Sequence, residues 1–200
     1  FRSDIHQDTA AKLFGIEPAE VTREQRGQAK GANFGIIYGI SSYGLAQNTG
    51  LSQRDAKTLI DNYFKTYPRV KLYMDSTIAN ARQHGYAQTI MGRKRFLSDI
   101  RSSNATVRGA AERNAINAPI QGSSADMIKL SMIDIYNEFE KQQLKSRMIL
   151  QVHDELVFDV CNNEVETVRK IVEEKMVSAM PLNVKLKVDI NKGFNWLEAH

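Results

Sequence analysis

Residues 150–158 read LQVHDELVF, and this stretch decides how the second half of the chain folds. The apolar residues on both sides predict two short strands, with His153 and Asp154 at a tight turn between them. Two-residue turns of this kind favour Asn-Gly, so the turn alone does not explain why His153 and Asp154 stand there. A carboxylate at the end of a strand can hold a hard cation such as Mg²⁺. On spacing alone, the alternative is a polar turn that holds no ligand.

The two carboxylates of this stretch are neighbours in the sequence. In a regular strand, the side chains of Asp154 and Glu155 point to opposite faces. Phosphoryl transfer with two metal ions needs carboxylates that arrive from separate strands. We therefore expect only one of the two to be a full metal ligand.

The segments around this hairpin predict an α+β fold in which a small antiparallel sheet is covered by helices. The expected strands are 147–153, 155–160 and 184–190, and the expected helices are 104–118, 123–142 and 163–180. Pro119 separates the first two of these helices, because proline cannot continue a helix without strain. Ser123 with Asp126 is the expected capping pair of the second.

The first half of the sequence reads as successive helices. Thr22 and Ser52 are expected N-caps, and a hairpin with Gly92 near its turn follows the last of these helices. We place the boundary after residue 86, with a helical region over 1–86 and a sheet-bearing region over 87–200.

Charge and composition narrow the class of protein. The net charge is +4, and a local basic excess lies between Arg93 and Arg113. Such an excess is typical of a protein that binds a phosphate backbone, although a solvated loop and helix face is an equal alternative. The single cysteine, Cys161, fits a reducing compartment, so we expect a cytoplasmic protein. We expect no membrane partner, because no apolar run approaches the roughly 18 residues of a membrane span.

One predicted helix, RGQAKGANFGIIYG, carries two stripes of residues spaced by four. The first stripe is Arg26, Lys30, Phe34 and Tyr38, and the second is Gly27, Gly31, Gly35 and Gly39. Cations followed by aromatic rings suit a nucleotide, since cations bind phosphates and rings stack on a base or sugar. The alternative is a helix that packs closely through its glycines and has a solvated basic flank.

A third pattern is polar. Arg113, Asn117 and Gln121 are also spaced by four, although Pro119 leads us to expect that Gln121 begins the next helix. Long guanidinium and amide side chains suit the acceptors of a nucleic-acid minor groove. Helix capping and internal hydrogen bonds are the alternative.

Together these motifs resemble those of the family A DNA polymerases, in the family's order. RGQAKGANFGIIYG resembles the fingers helix, ERNAINAPIQGSSAD the primer–template segment, and LQVHDELVF the palm carboxylate motif. DIHQDTAAKLFG resembles the segment before the fingers helix. The likeness runs from Asp4 to Trp196.

The resemblance implies a fingers-like region over 1–86, a palm-like region over 87–200, and a DNA-directed DNA polymerase that joins dNTPs to a primer. The implied nucleotide-binding residues are His6, Arg26, Lys30, Phe34 and Tyr38. The implied DNA-binding residues are Arg113, Asn117, Gln121 and His153. Asp154 and Glu155 are the implied ligands of two Mg²⁺ ions and, with Lys30, the implied catalytic residues. Asp4 is expected to be only a helix cap.

The family's other palm motif has no match in this sequence. Because the chain also opens on Phe1, we expect a fragment that polymerises poorly or not at all by itself. The expected partners are primer–template DNA and dNTP, in replication or repair, and the expected state is a monomer. Two alternatives are a non-catalytic DNA-binding module and a metal-dependent nuclease, although no water-activating group for the latter is evident.

Overall fold

The computed structural model describes residues 4–199, which are mostly helical and divide after Ile120 into two compact units. We call these the N-terminal and C-terminal units. The helices are α1 (Ile5–Phe14), α2 (Arg23–Ile37), α3 (Ser42–Thr49), α4 (Gln53–Thr66), α5 (Pro68–His84), α6 (Ala105–Lys141), α7 (Val165–Ser178) and α8 (Trp196–Ala199). The strands are β1 (Tyr86–Gln88), β2 (Lys94–Phe96), β3 (Arg147–Val152) and β4 (Glu155–Asp159), and short 3₁₀ turns cover Pro18–Glu20 and Ser98–Arg101.

The helix starts that the sequence predicts at Asp4, Thr22 and Ser52 are confirmed. The Asp4 carboxylate accepts the backbone N–H groups of His6 and Gln7 at the start of α1. The Thr22 hydroxyl accepts the N–H of Gln25 at the start of α2, and the Ser52 hydroxyl caps α4 in the same way. Each cap supplies an acceptor to a backbone donor that has no partner within the helix, which explains why short polar residues stand at these positions.

The core of the N-terminal unit lies between α1, α2, α3 and α4. It is built from small and aliphatic residues, with one aromatic ring from α4: Leu13, Ala32, Ile36, Leu45, Ala46, Ala56, Leu59 and Tyr63. Helix α2 contributes Ala32 and Ile36, which are spaced by four and define its buried face. The opposite face of α2 is therefore directed to solvent.

The predicted break at Pro119 is wrong. Helix α6 runs through Pro119 as one helix of 37 residues, so Ser123 and Asp126 lie inside it and do not cap a new helix. A proline inside a helix costs about 3 kcal/mol, because it lacks a donor and crowds the preceding turn. Burial on both sides offsets this cost. Ala115 and Ala118 belong to one apolar cluster, and Ile135 and Phe139 belong to another.

The strands form two separate antiparallel pairs, β1 with β2 and β3 with β4. Helix α7 covers the second pair, since Val168, Ile171 and Val172 pack in one cluster with Leu156 and Phe158. The α+β class is confirmed. The expected strand over 184–190 is wrong, because this segment is assigned to no strand among residues 4–199. Its alternate residues from 186 to 190 are half-buried, whereas Val184 is exposed, so packing explains the later part of the alternation without strand pairing.

A carboxylate organises the loop before β3. Glu164 accepts hydrogen bonds from the Ser146 hydroxyl at 2.6 Å and from the backbone N–H groups of Lys145 and Ser146. These bonds, above all that from the hydroxyl, lower the pKa of Glu164 below its usual 4.5.

The division into a fingers-like region over 1–86 and a palm-like region over 87–200 stays a prediction. By packing, the β1–β2 hairpin belongs with α5, and the division between compact units falls after Ile120.

Candidate functional site

The cationic and aromatic stripe of α2 lies on the exposed face of the helix. Phe34 exposes 52% and Tyr38 43% of their surface, although both are large and apolar. An open groove of about 790 Å³ runs along this face. Lys30, Phe34 and Tyr38 line one side of it, and Asn48 of α3 and Arg113 of α6 also line it. The fold thus brings Arg113 to the same groove as Lys30, which the sequence spacing alone could not show.

The glycine stripe of α2 makes this groove possible by allowing close packing. A Cβ atom at Gly31 would lie 2.8 Å from Thr49 Cγ2 of α3, and one at Gly35 would lie 2.8 Å from Ile40 Cγ2. At Gly39, φ is +72° and a Cβ atom would lie 2.9 Å from Arg113 Cγ. Close packing through glycines and an exposed stripe of cations and aromatic rings, which belonged to alternative interpretations of the sequence, occur on the same helix.

Residues at the start of α1 contact two members of the predicted nucleotide site. The Arg26 Nε atom donates to Asp4 Oδ2 at 2.7 Å, and this bond lowers the pKa of Asp4. The His6 ring is half-buried, with its centroid 5.6 Å from that of Phe34. Asp4 is therefore more than a helix cap, because it also holds a predicted phosphate-binding arginine.

Of the predicted DNA-binding residues, three lie in α6. Arg113 is exposed, and Asn117 is half-buried, with a buried Oδ1 atom that has no hydrogen-bond partner among the described residues. A buried acceptor without a partner costs free energy, so this oxygen does not help to stabilise the fold. Gln121 lies within α6 and does not begin a new helix, which corrects that expectation.

The predicted two-residue turn is confirmed. Val152 pairs with Glu155, leaving His153 and Asp154 as the loop. His153 has φ +54°, a left-handed conformation in which glycine is usual, so the turn keeps a histidine at a cost in strain. The Asp154 side chain is exposed, whereas Glu155 is half-buried and accepts the Trp196 indole N–H at 2.7 Å.

Asn33 and Trp196 make contacts that sequence patterns do not reveal. Asn33 donates towards the His6 ring, and Trp196 lies 41 positions from the carboxylate that it contacts. The sequence gives a weak indication for Asn33, because a polar residue beside the buried face of α2 needs a hydrogen-bond partner. No spacing rule links Trp196 to Glu155.

The donor set at the turn fits a partial magnesium site. Among residues 4–199, no group of three or more His, Cys, Asp or Glu side chains is arranged to hold a metal ion. Mg²⁺ is commonly held by one or two carboxylates together with substrate phosphates and water. Asp154 is exposed, and its neighbour Glu155 already accepts the indole N–H of Trp196. The turn therefore offers the one or two carboxylates that such a site needs from the protein.

Comparison with known proteins places this geometry in a family. A statistical model of DNA polymerase family A matches residues 2–198. The chain belongs to DNA polymerase family A. It is 49% identical over 195 residues to DNA polymerase I of Caldicellulosiruptor bescii and 46% identical over 196 residues to that of Bacillus subtilis. The alignments cover 98% of this chain but only 23% and 22% of those proteins.

A solved structure shares the fold of this chain. It is described as the POL domain of Pol1 from M. smegmatis in complex with DNA primer–template and dNTP. The TM-score is 0.92 at 42% identity, over 98% of this chain and 35% of that one. Within residues 4–199, no helix is both long and apolar enough to cross a membrane. The roles of individual site residues stay predictions.

Proposed function

We propose that this chain provides the nucleotide-binding and DNA-binding part of a DNA-directed DNA polymerase, which transfers a nucleotidyl group from a dNTP to a primer 3′-hydroxyl. One observation carries the proposal: the exposed stripe of Lys30, Phe34 and Tyr38 lines a groove that Arg113 also lines. Family membership supports it, as does the solved relative, which is a complex with primer–template DNA and dNTP.

On the nucleotide side, Arg26 and Lys30 bind the triphosphate, because guanidinium and ammonium groups make charge-assisted bonds to phosphate oxygens. The His6 ring adds a further contact. Lys30 also acts in catalysis, since its charge stabilises the negative charge that builds on the leaving pyrophosphate. Phe34 packs against the sugar and base, and Tyr38 stacks near the templating base.

On the DNA side, Arg113, Asn117, Gln121 and His153 contact the minor groove at the primer end. Minor-groove acceptors differ little between base pairs, so such contacts test the shape of a pair more than its sequence. The strained backbone at His153 is consistent with a position selected for binding.

Asp154 and Glu155 are the residues of this chain that would hold Mg²⁺. When bound, two such ions neutralise charge on the phosphoryl group and on the attacking and leaving oxygens. Asp154 is the main ligand, because its carboxylate is exposed at the turn. Glu155 shares one of its oxygens with the indole of Trp196 and orients the hairpin.

Nucleotide-dependent DNA binding tests the proposal. We would measure the anisotropy of a labelled primer–template with a dideoxy-terminated primer, with and without the matching dNTP. The matching dNTP should tighten binding by the wild type, and Lys30→Ala should abolish the tightening. Lys57→Ala is the matched control, since Lys57 is an exposed lysine on α4 outside the groove. DNA binding that never responds to dNTP would indicate a non-catalytic DNA-binding module.

Catalysis is tested by primer extension. The 200-residue chain alone should extend primers weakly or not at all. In a polymerase that contains this chain, Asp154→Ala should abolish extension while DNA binding is retained. Robust extension that does not depend on Asp154 would contradict its assignment as a metal ligand.

A further inference from the structure

A small polar network lies beside the groove and involves a residue to which the proposed function gives no role. Asn33 of α2 directly precedes Phe34, and its Nδ2 atom lies 3.1 Å from His6 Nδ1 and 3.1 Å from Thr9 Oγ1. Thr9 is 1% exposed. The network therefore links the outer histidine to the buried interior of the N-terminal unit.

The directions of these hydrogen bonds follow from counting protons. Thr9 has one hydroxyl proton, and it is donated to the Ile5 carbonyl at 2.6 Å. Towards Asn33 the Thr9 oxygen must therefore accept, which requires the amide nitrogen of Asn33 on that side. The Tyr67 hydroxyl, 3.4 Å away, can act only as a donor to the same oxygen.

The second proton of the Asn33 amide then points at His6. A ring nitrogen that receives a donated proton cannot carry one of its own, so Nδ1 is the acceptor. The single N–H of the neutral imidazole is consequently at Nε2. Contact with the Phe34 ring further restricts the orientation of the imidazole.

We propose that Asn33 is a positioning residue that holds His6 in the Nε2–H tautomer, so that the ring offers one N–H donor to an acceptor oxygen of the bound ligand. That this oxygen belongs to a nucleotide phosphate rests on the proposed function. The tautomer itself rests only on the contacts among Asn33, Thr9 and His6. Asn33 and Asp4 have parallel roles. Asn33 bonds to Nδ1 of His6 and leaves Nε2–H for a ligand, and Asp4 bonds to Nε of Arg26 and leaves the other guanidinium nitrogens for a ligand.

The tautomer can be read directly by NMR. Long-range ¹H–¹⁵N correlation spectra distinguish a ring nitrogen that carries a proton from one that does not, and His6→Gln assigns the signal among the four histidines. The wild type should show the proton on Nε2. Asn33→Asp should move it to Nδ1, because a carboxylate only accepts. Thr9→Val should give both tautomers, since Asn33 is then free to rotate.

Wild-type His6 with its proton on Nδ1 would overturn the inference without any variant. An unchanged tautomer in folded Asn33→Asp would overturn it as well. Neither measurement needs nucleotide, so both stand apart from the proposed function.

The effect on the ligand is tested by a double-mutant cycle. Asn33→Leu should weaken dNTP binding roughly tenfold, which corresponds to about 1.4 kcal/mol. In the His6→Ala background, the same change should have no further effect, whereas a merely structural role would weaken both backgrounds equally. Gln28→Leu is the control, because Gln28 is an amide on the same helix whose side chain bonds to Glu24. Absence of dNTP binding by the wild type would refute the proposed function and leave the tautomer result intact.

Discussion

Two glycines of α2, one turn apart, should respond oppositely to the same substitution. A Cβ atom at Gly27 meets nothing within 4 Å, whereas one at Gly31 lies 2.8 Å from Thr49 Cγ2. Replacing an exposed helical glycine by alanine contributes about 1 kcal/mol of helix propensity. Gly27→Ala should therefore raise the free energy of unfolding by about 1 kcal/mol, a rise in Tm of about 2–4 °C at this chain length.

Gly31→Ala gains the same propensity but overpacks the α2–α3 contact. Thr49 cannot easily rotate its methyl group away, because its hydroxyl donates to the Leu45 carbonyl at 2.7 Å. Overpacking typically costs about 1–3 kcal/mol, so the variant should be about 1 kcal/mol less stable than the wild type. The difference between the two alanine variants is then about 2 kcal/mol.

Urea unfolding followed by far-UV circular dichroism measures both variants. Thr49→Ser removes the clashing methyl group and keeps the hydroxyl, so Gly31→Ala combined with Thr49→Ser should recover most of the lost stability. Equal stabilities of Gly27→Ala and Gly31→Ala would refute the close-packing role of Gly31. A clash elsewhere would be indicated if Thr49→Ser gave no rescue.

Three further predictions concern the C-terminal unit. Folding lowers the pKa of Glu164, so the ionised carboxylate stabilises the folded chain above pH 4.5, and this stabilisation is lost as the pH falls through the folded pKa. Glu164→Gln should therefore make the Tm, measured in thermal melts, less dependent on pH in the acid range. His153→Gly should stabilise the chain by about 1 kcal/mol in thermal melts, by relieving the left-handed strain, but should weaken primer–template binding. Trp196 is the only tryptophan, and its indole N–H donates to Glu155. Glu155→Ala should therefore change the fluorescence emission, whereas Asp154→Ala should leave it unchanged. Equal changes in the two variants would contradict the indole contact.

Local chemistry made much of this molecule predictable. The caps Thr22 and Ser52, the hairpin turn at His153–Asp154 and the stripe of α2 all depend on residues that are close in the sequence, each within a single turn or a single helix. Over such short distances, hydrogen-bonding capacity and periodicity leave few alternatives. The residues of the candidate site therefore form three separate patterns in the sequence, none of which shows how they lie relative to one another.

Long-range packing overruled the local signals in two places. Pro119 is a strong helix breaker, yet apolar clusters on both sides of it keep α6 continuous. The alternation over 184–190 is typical of a strand, but Leu186, Val188 and Ile190 are half-buried there without an assigned strand. A local conformational preference of a few kcal/mol does not decide the structure when the burial of a whole segment favours another conformation.

The sequence by itself determined where α1, α2 and α4 begin, which carboxylates stand at the turn and which face of α2 carries cations and rings. Only the tertiary structure decided that Arg113 lines the groove of α2, that Asn33 bonds to His6 and that Trp196 bonds to Glu155. These three relations join residues that lie 27 or more positions apart in the chain. Their geometry depends on how helices and loops pack, because no periodic pattern in a chain encodes a distance between two of its elements.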